Sequence, residues 1–119
     1  MAKTIRITTD NRIKILDMTW DIDSQNAAIS ADYGEIVQTR HLLIFLGDNI
    51  VMIVDESGAV KNRPINRVGS WFYNAQVHGC YIHGDILFAK KSGPDILPLD
   101  DAEAIKYELM QLFGYLQEE

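Results

Sequence analysis

The sequence is short of cysteine and of basic charge, and it has no long apolar run. Cys80 is the only cysteine in 119 residues, which excludes an intramolecular disulfide and fits a reducing compartment. The longest uninterrupted apolar runs, Leu42–Leu46 and Ile50–Val54, hold five residues each, far too few for a helix to cross a bilayer. The opening Met1-Ala2-Lys3-Thr4 has no apolar stretch of the kind that starts a secretory leader, so a cytoplasmic protein is expected. Lysine and arginine total 11 against 17 acidic residues, a net charge of −6. A chain of that sign repels polyanions, which argues against a general nucleic-acid binder. No glycine-rich phosphate loop, paired-carboxylate spacing, repeat or low-complexity linker is present.

What is present suits one globular domain spanning residues 1–119. The apolar fraction of 47% is too high for a disordered chain. Thr4–Thr8 alternates polar and apolar residues and predicts a strand. Asp10-Asn11 is a turn pair, and Ile13–Leu16 predicts the second strand of a hairpin. Asp21–Ala31 predicts a short helix capped by Asp23 or Ser24 and stopped at Tyr33-Gly34. Glu35–Thr39, Leu42–Leu46 and Ile50–Val54 follow as strands, the last two apolar enough to lie at the centre of a sheet. Val68–Gln76 reads as a short helix or turn. Tyr81–Ile82 and Asp85–Ala89 read as a last strand kinked at Gly84. From Asp100 onward, Ile105, Leu109, Leu112, Phe113 and Leu116 form one helical stripe, with Asp100 and Glu103 at capping-box spacing. The expected fold is α+β: a mostly antiparallel sheet of five or six strands, a C-terminal amphipathic helix packed on it and one short helix.

The charge is unevenly placed. Ser57–Lys91 holds Lys61, Arg63, Arg67, Lys90 and Lys91 against Asp85 alone, a local +4, while the rest of the chain carries −10. Within it, Arg63 and Arg67 flank Pro64 and Asn66, and Trp71-Phe72-Tyr73 follow. Proline stiffens the loop that displays the two guanidinium groups, and arginine forks match phosphate oxygens. The candidate ligand-binding residues are therefore Arg63 and Arg67 for phosphate, Asn66 for polar recognition, and Trp71 or Tyr73 for base stacking, a contact worth ~1–3 kcal/mol per base. In the competing reading the arginines pair with acids of the chain itself and the aromatics are core.

His78, Cys80 and His83 have ligand types that suit zinc. On a strand, however, His83 points away from the other two, and no second pair completes a tetrahedron. Cys80 lacks the surroundings of an activated nucleophile. No metal, cofactor or catalytic residue is expected.

Several short motifs carry a resemblance. Ile53-Val54-Asp55-Glu56-Ser57-Gly58, Pro64-Ile65-Asn66-Arg67, Ile82-His83-Gly84-Asp85-Ile86-Leu87 and Leu97-Pro98-Leu99 resemble the DUF3846 family of small phage and plasmid proteins of unknown function. The match spans roughly residues 20–105. Pro64, Asn66, Arg67 and Gly84 fall on its pattern, while Tyr33-Gly34 stands where the family often has paired glycines. The resemblance implies a compact α+β protein of a mobile element, acting in the host cytoplasm, and supplies no catalytic residues. By analogy with phage proteins that counter host defence, it implies a non-enzymatic homo-oligomer that sequesters a small anionic ligand such as a cyclic nucleotide. The alternative is a protein-interaction module that inhibits a host factor.

Overall fold

The computed structural model describes residues 2–119 and has the expected class, α+β, with a mostly antiparallel seven-stranded sheet and five helices. In chain order the elements are β1 (Ala2–Ile7), β2 (Arg12–Met18), α1 (Ile22–Ala28), β3 (Gly34–Val37), α2 (Arg40–Leu46), β4 (Ile50–Asp55), α3 (Arg67–Tyr73), α4 (Ala75–His78), β5 (Ile86–Ser92), β6 (Asp95–Leu97), α5 (Ala102–Leu112) and β7 (Gln117–Glu118). The strand order is β3-β4-β5-β1-β2-β7, with β6 paired to β5. All pairings are antiparallel except β2 with β7. Among the described residues no helix is long and apolar enough to cross a membrane.

The two central strands explain the apolar runs. In β4, Met52 and Val54 face one side of the sheet, and Val51 and Ile53 the other. In β5, Ile86 and Phe88 share the first side, and Leu87 and Ala89 the second. Successive side chains point to opposite faces, so a strand covered on both faces must be apolar throughout. The first face carries the larger core, where Leu42 and Leu46 of α2, Val68 and Phe72 of α3, and Leu109 and Phe113 of the C-terminal segment pack on the sheet. The second face is covered only around Ile29, with Trp20, Ala28 and Ile96 at its margin.

Leu42–Leu46, expected as a strand, is helical. The Thr39 hydroxyl accepts from the Leu42 amide at 3.4 Å and donates to the Phe72 carbonyl at 2.6 Å. Gly47, at φ 108°, ends the helix. Leucine favours helix, and a five-residue apolar run has no readable period. Its tertiary setting therefore decides, burying Leu42 and Leu46 one turn apart and leaving the residues between them exposed.

Other differences are local. Tyr81–Ile82 is not a strand; the chain there makes a single bridge, Ile65 to His83. Gly84 has φ 94°, a left-handed turn that glycine accepts at little cost. Helix α5 is capped by Asp101, which accepts from the Ala104 amide at 3.1 Å, while Asp100 instead pairs with Lys90 at 2.6 Å. Leu116 lies beyond the helix yet is buried.

Helix α1 is capped not by Asp23 or Ser24 but by Asp21, whose carboxylate accepts from the Ser24 amide at 2.7 Å. That hydrogen bond holds the carboxyl below its usual pKa. A depressed folded-state pKa contributes stability that is present above the unfolded value and lost as pH falls through the folded one. The melting-temperature gap between the natural chain and Asp21→Ala is therefore expected to narrow as pH drops below about 4. A gap that stays constant across that range would refute the capping role.

Candidate functional site

Asn66 ends the cationic loop and starts α3. Its backbone is extended, and its side-chain oxygen accepts from the Gly69 amide at 2.9 Å. Its amide nitrogen donates to the carbonyls of Ile7 and Gly84, at 3.0 Å each. The residue is fully buried. Both donors and the oxygen are committed within the fold, which leaves no N–H for polar recognition of a ligand.

Arg63 is also drawn inward. Its Nε lies 3.8 Å from Asp55 Oδ2, and its Nη1 donates to the Ile29 carbonyl at 3.4 Å. Its stem covers Gly84, where an added Cβ would meet Arg63 Cδ at 3.2 Å. The Asp55 side chain is wholly buried, with Lys61 Nζ 2.7 Å from Oδ2 and the Ser57 amide donating to Oδ1 at 2.9 Å. Lys61 also approaches Asp32 at 3.7 Å. Acids from outside the +4 segment thus neutralise Lys61, Arg63 and Lys90. Arg67 and Lys91 have no ion pair among the described residues.

Arg67 and Trp71 are brought together. They are one turn apart on α3, so their side chains share a face. The Arg67 guanidinium lies 4.1 Å from the centre of the Tyr115 ring, a cation–π contact. Burial pushes the Tyr115 hydroxyl pKa up, and the Arg67 charge opposes the rise. The Trp71 ring is stacked by His41 at 4.8 Å and met edge-on by Phe45, Phe72 and Phe113 at 5.1, 5.2 and 5.4 Å. His41 Nδ1 is 3.0 Å from the Trp71 carbonyl, which holds the stack. Trp71 remains 39% exposed. A groove of about 520 Å³ opens beside it, lined by His41, Ile65, Arg67, Ser70 and Tyr81 among others.

Tyr73 points elsewhere. It lines a smaller cleft of about 200 Å³ with Glu35, Glu56, Cys80 and His83. Its hydroxyl is 3.8 Å from Cys80 Sγ and its ring 4.8 Å from His78. The hydrogen bond with Cys80 raises its pKa, and nearby Glu35 adds to the rise. Glu35 and Glu56 on the walls of this cleft repel an anion. Phe72 is core, as one of the readings of the aromatic run had it. His83 Nδ1 is held 2.7 Å from the Arg63 carbonyl. Among the described residues no three His, Cys, Asp or Glu side chains are arranged to hold a metal.

The surface that sequence reasoning missed is the outer face of α2. Leu43, Ile44 and Phe45 are 50%, 57% and 39% exposed, and Phe45 connects them to Trp71. A threonine before the apolar run and a glycine after it, Thr39 and Gly47, were the signal for a helix here. A helix of that sequence cannot bury every side chain.

Compared with known proteins, the chain matches no family model, no curated protein and no solved structure. The likeness to the DUF3846 family therefore rests on the short motifs alone.

Proposed function

We propose that this is a non-enzymatic binding protein of a phage or plasmid, which acts in the host cytoplasm by docking a host protein on its α2–α3 surface. The observation that carries this reading is the run of exposed Leu43, Ile44 and Phe45 continuing onto Trp71. Contiguous exposed apolar surface is uncommon on monomers and marks interaction sites, and aromatic and arginine side chains dominate binding energy at such sites. The charges around the patch name the partner's chemistry. Arg40 opens α2 one turn before Ile44, and Arg67 lies beside Trp71; neither has an ion pair among the described residues. The complement is an apolar segment flanked by carboxylates. The mobile-element origin rests on the motif resemblance.

The test uses immobilised protein and lysate of a candidate host. A captured partner is expected to be lost with Leu43→Asp/Phe45→Asp and weakened with Arg40→Glu/Arg67→Glu. Hot-spot losses of ~2 kcal/mol or more correspond to roughly thirtyfold in affinity. Equal capture by the natural chain and both variants would sink the proposal.

A second reading is favoured by one specific observation, the juxtaposition of Arg67 and Trp71 on a groove large enough for a small molecule. There the chain would sequester a nucleotide, with Arg67 on phosphate and Trp71 against the base. Native mass spectrometry with cyclic and linear nucleotides separates the readings and reports any homo-oligomer. An added nucleotide mass that disappears with Arg67→Ala favours sequestration.

A further inference from the structure

The less covered face of the sheet holds a different kind of cavity. It measures about 420 Å³ and lies between α1, β3, β4 and the turn into β6. Trp20, Ile22, Ile36, Ile53 and Ile96 give it apolar walls. The indole Nε1 of Trp20 donates to the Ile96 carbonyl at 2.9 Å, which fixes that wall. At Gly34 an added Cβ would come within 2.8 Å of Asn26 Oδ1 and 3.1 Å of Ile53 Cγ2, so a larger residue would have to push both side chains aside.

One polar group in the cavity is unexplained by the fold. Gln25 is 9% exposed and lines the cavity. Its side-chain amide has no hydrogen-bond partner among the described residues, yet neither of its polar atoms is sealed away from solvent. The amide therefore opens onto the cavity. Water reaches the amide there, and a molecule presenting one donor and one acceptor side by side would take the place of that water. Asp21 and Asp95 lie at the same cavity. Two carboxylates there repel anions.

We infer that this cavity binds a small neutral planar heterocycle through Gln25, with a nucleobase or nucleoside of the adenine type as the fitting chemistry. The carboxamide of glutamine pairs bidentately with adjacent donor and acceptor atoms of adenine, and the volume is in the range of small-molecule sites. The inference is independent of the α2–α3 surface, which lies on the opposite side of the sheet.

The test titrates isotope-labelled protein with adenosine and, separately, with adenosine 5′-monophosphate, following the Trp20 indole N–H and the Gln25 side-chain amide by NMR. Adenosine is expected to shift both signals saturably and to bind more tightly than the monophosphate. Gln25→Leu should weaken adenosine roughly tenfold or more, the effect of losing one bidentate pair. Ile36→Trp, at the partly exposed rim, should fill the cavity and abolish binding, and it carries the test if Gln25→Leu does not fold. No saturable shift at millimolar adenosine, tighter binding of the monophosphate, or binding retained in Ile36→Trp would each overturn the inference.

Discussion

Asn66→Ala is expected to destabilise the protein by about 4 kcal/mol, through the loss of a helix cap (~1 kcal/mol) and of partners for buried backbone groups (~1–3 kcal/mol each). One side chain joins three parts of the chain. It caps α3 through the Gly69 amide, and it donates to Ile7 on β1 and to Gly84 just before β5. Alanine leaves one buried N–H and two buried carbonyls without these partners, at a position with no access to solvent. Asn66→Asp is the informative companion. It keeps an oxygen for the cap but sets a carboxylate against two carbonyl oxygens, so it should do no better than alanine. Chemical denaturation at neutral pH checks both variants. A loss below about 1 kcal/mol for alanine, the net value of a single ordinary hydrogen bond, would show that the linkage carries little of the fold's stability.

The second large effect is expected at Asp55. Removing one partner of a buried ion pair typically costs 3–5 kcal/mol, because an uncompensated charge remains. Here Lys61 and Arg63 keep about a third of their side-chain surface exposed, at 31% and 28%. They can turn toward water, which places Asp55→Ala near about 3 kcal/mol, at the low end of that range. The Ser57 amide also loses its acceptor. Lys61→Ala should cost less than Asp55→Ala, since Arg63 still faces the carboxylate. A double-mutant cycle over Asp55 and Lys61 measures the pair directly. Additive single effects would show that the 2.7 Å approach contributes nothing specific.

These two residues show how the rest of the chain engages the cationic loop. Spacing made Arg63, Asn66 and Arg67 look like one displayed cluster. Whether a side chain is displayed depends on what the rest of the chain brings to it. Asp55 comes from β4, and the carbonyl of Ile7 from β1, far away in sequence. Arg67 and Trp71 stayed together because both belong to one turn of α3, a relation the sequence does contain. Tyr73, two residues further, falls on another face of the same helix.

The readable parts of the fold have a local cause. The strands were legible where the period of two extends over several residues or where an apolar run is bounded by turns, as in β1, β2, β4 and β5. Asn11, Asn49, Asn62 and Asn74 all adopt positive φ, in keeping with asparagine's tolerance of the left-handed region in turns. Helix α5 was legible from its stripe, but its last turn was not. Leu116 keeps the helical spacing after the helix has ended, because it remains buried as the chain turns into β7. The short strands β6 and β7 have almost no pattern of their own and exist by pairing with β5 and β2.

By itself, then, the sequence determined the class, the central strands and the C-terminal helix, because periodicity and capping act over a few residues of contiguous chain. Only the tertiary structure decided which face of the Leu42–Leu46 helix stays uncovered, that Asn66 is a buried joint, and that Gln25 opens onto a cavity. Each depends on partners distant in sequence, and hydrogen-bond satisfaction and burial are settled between segments that no local pattern relates.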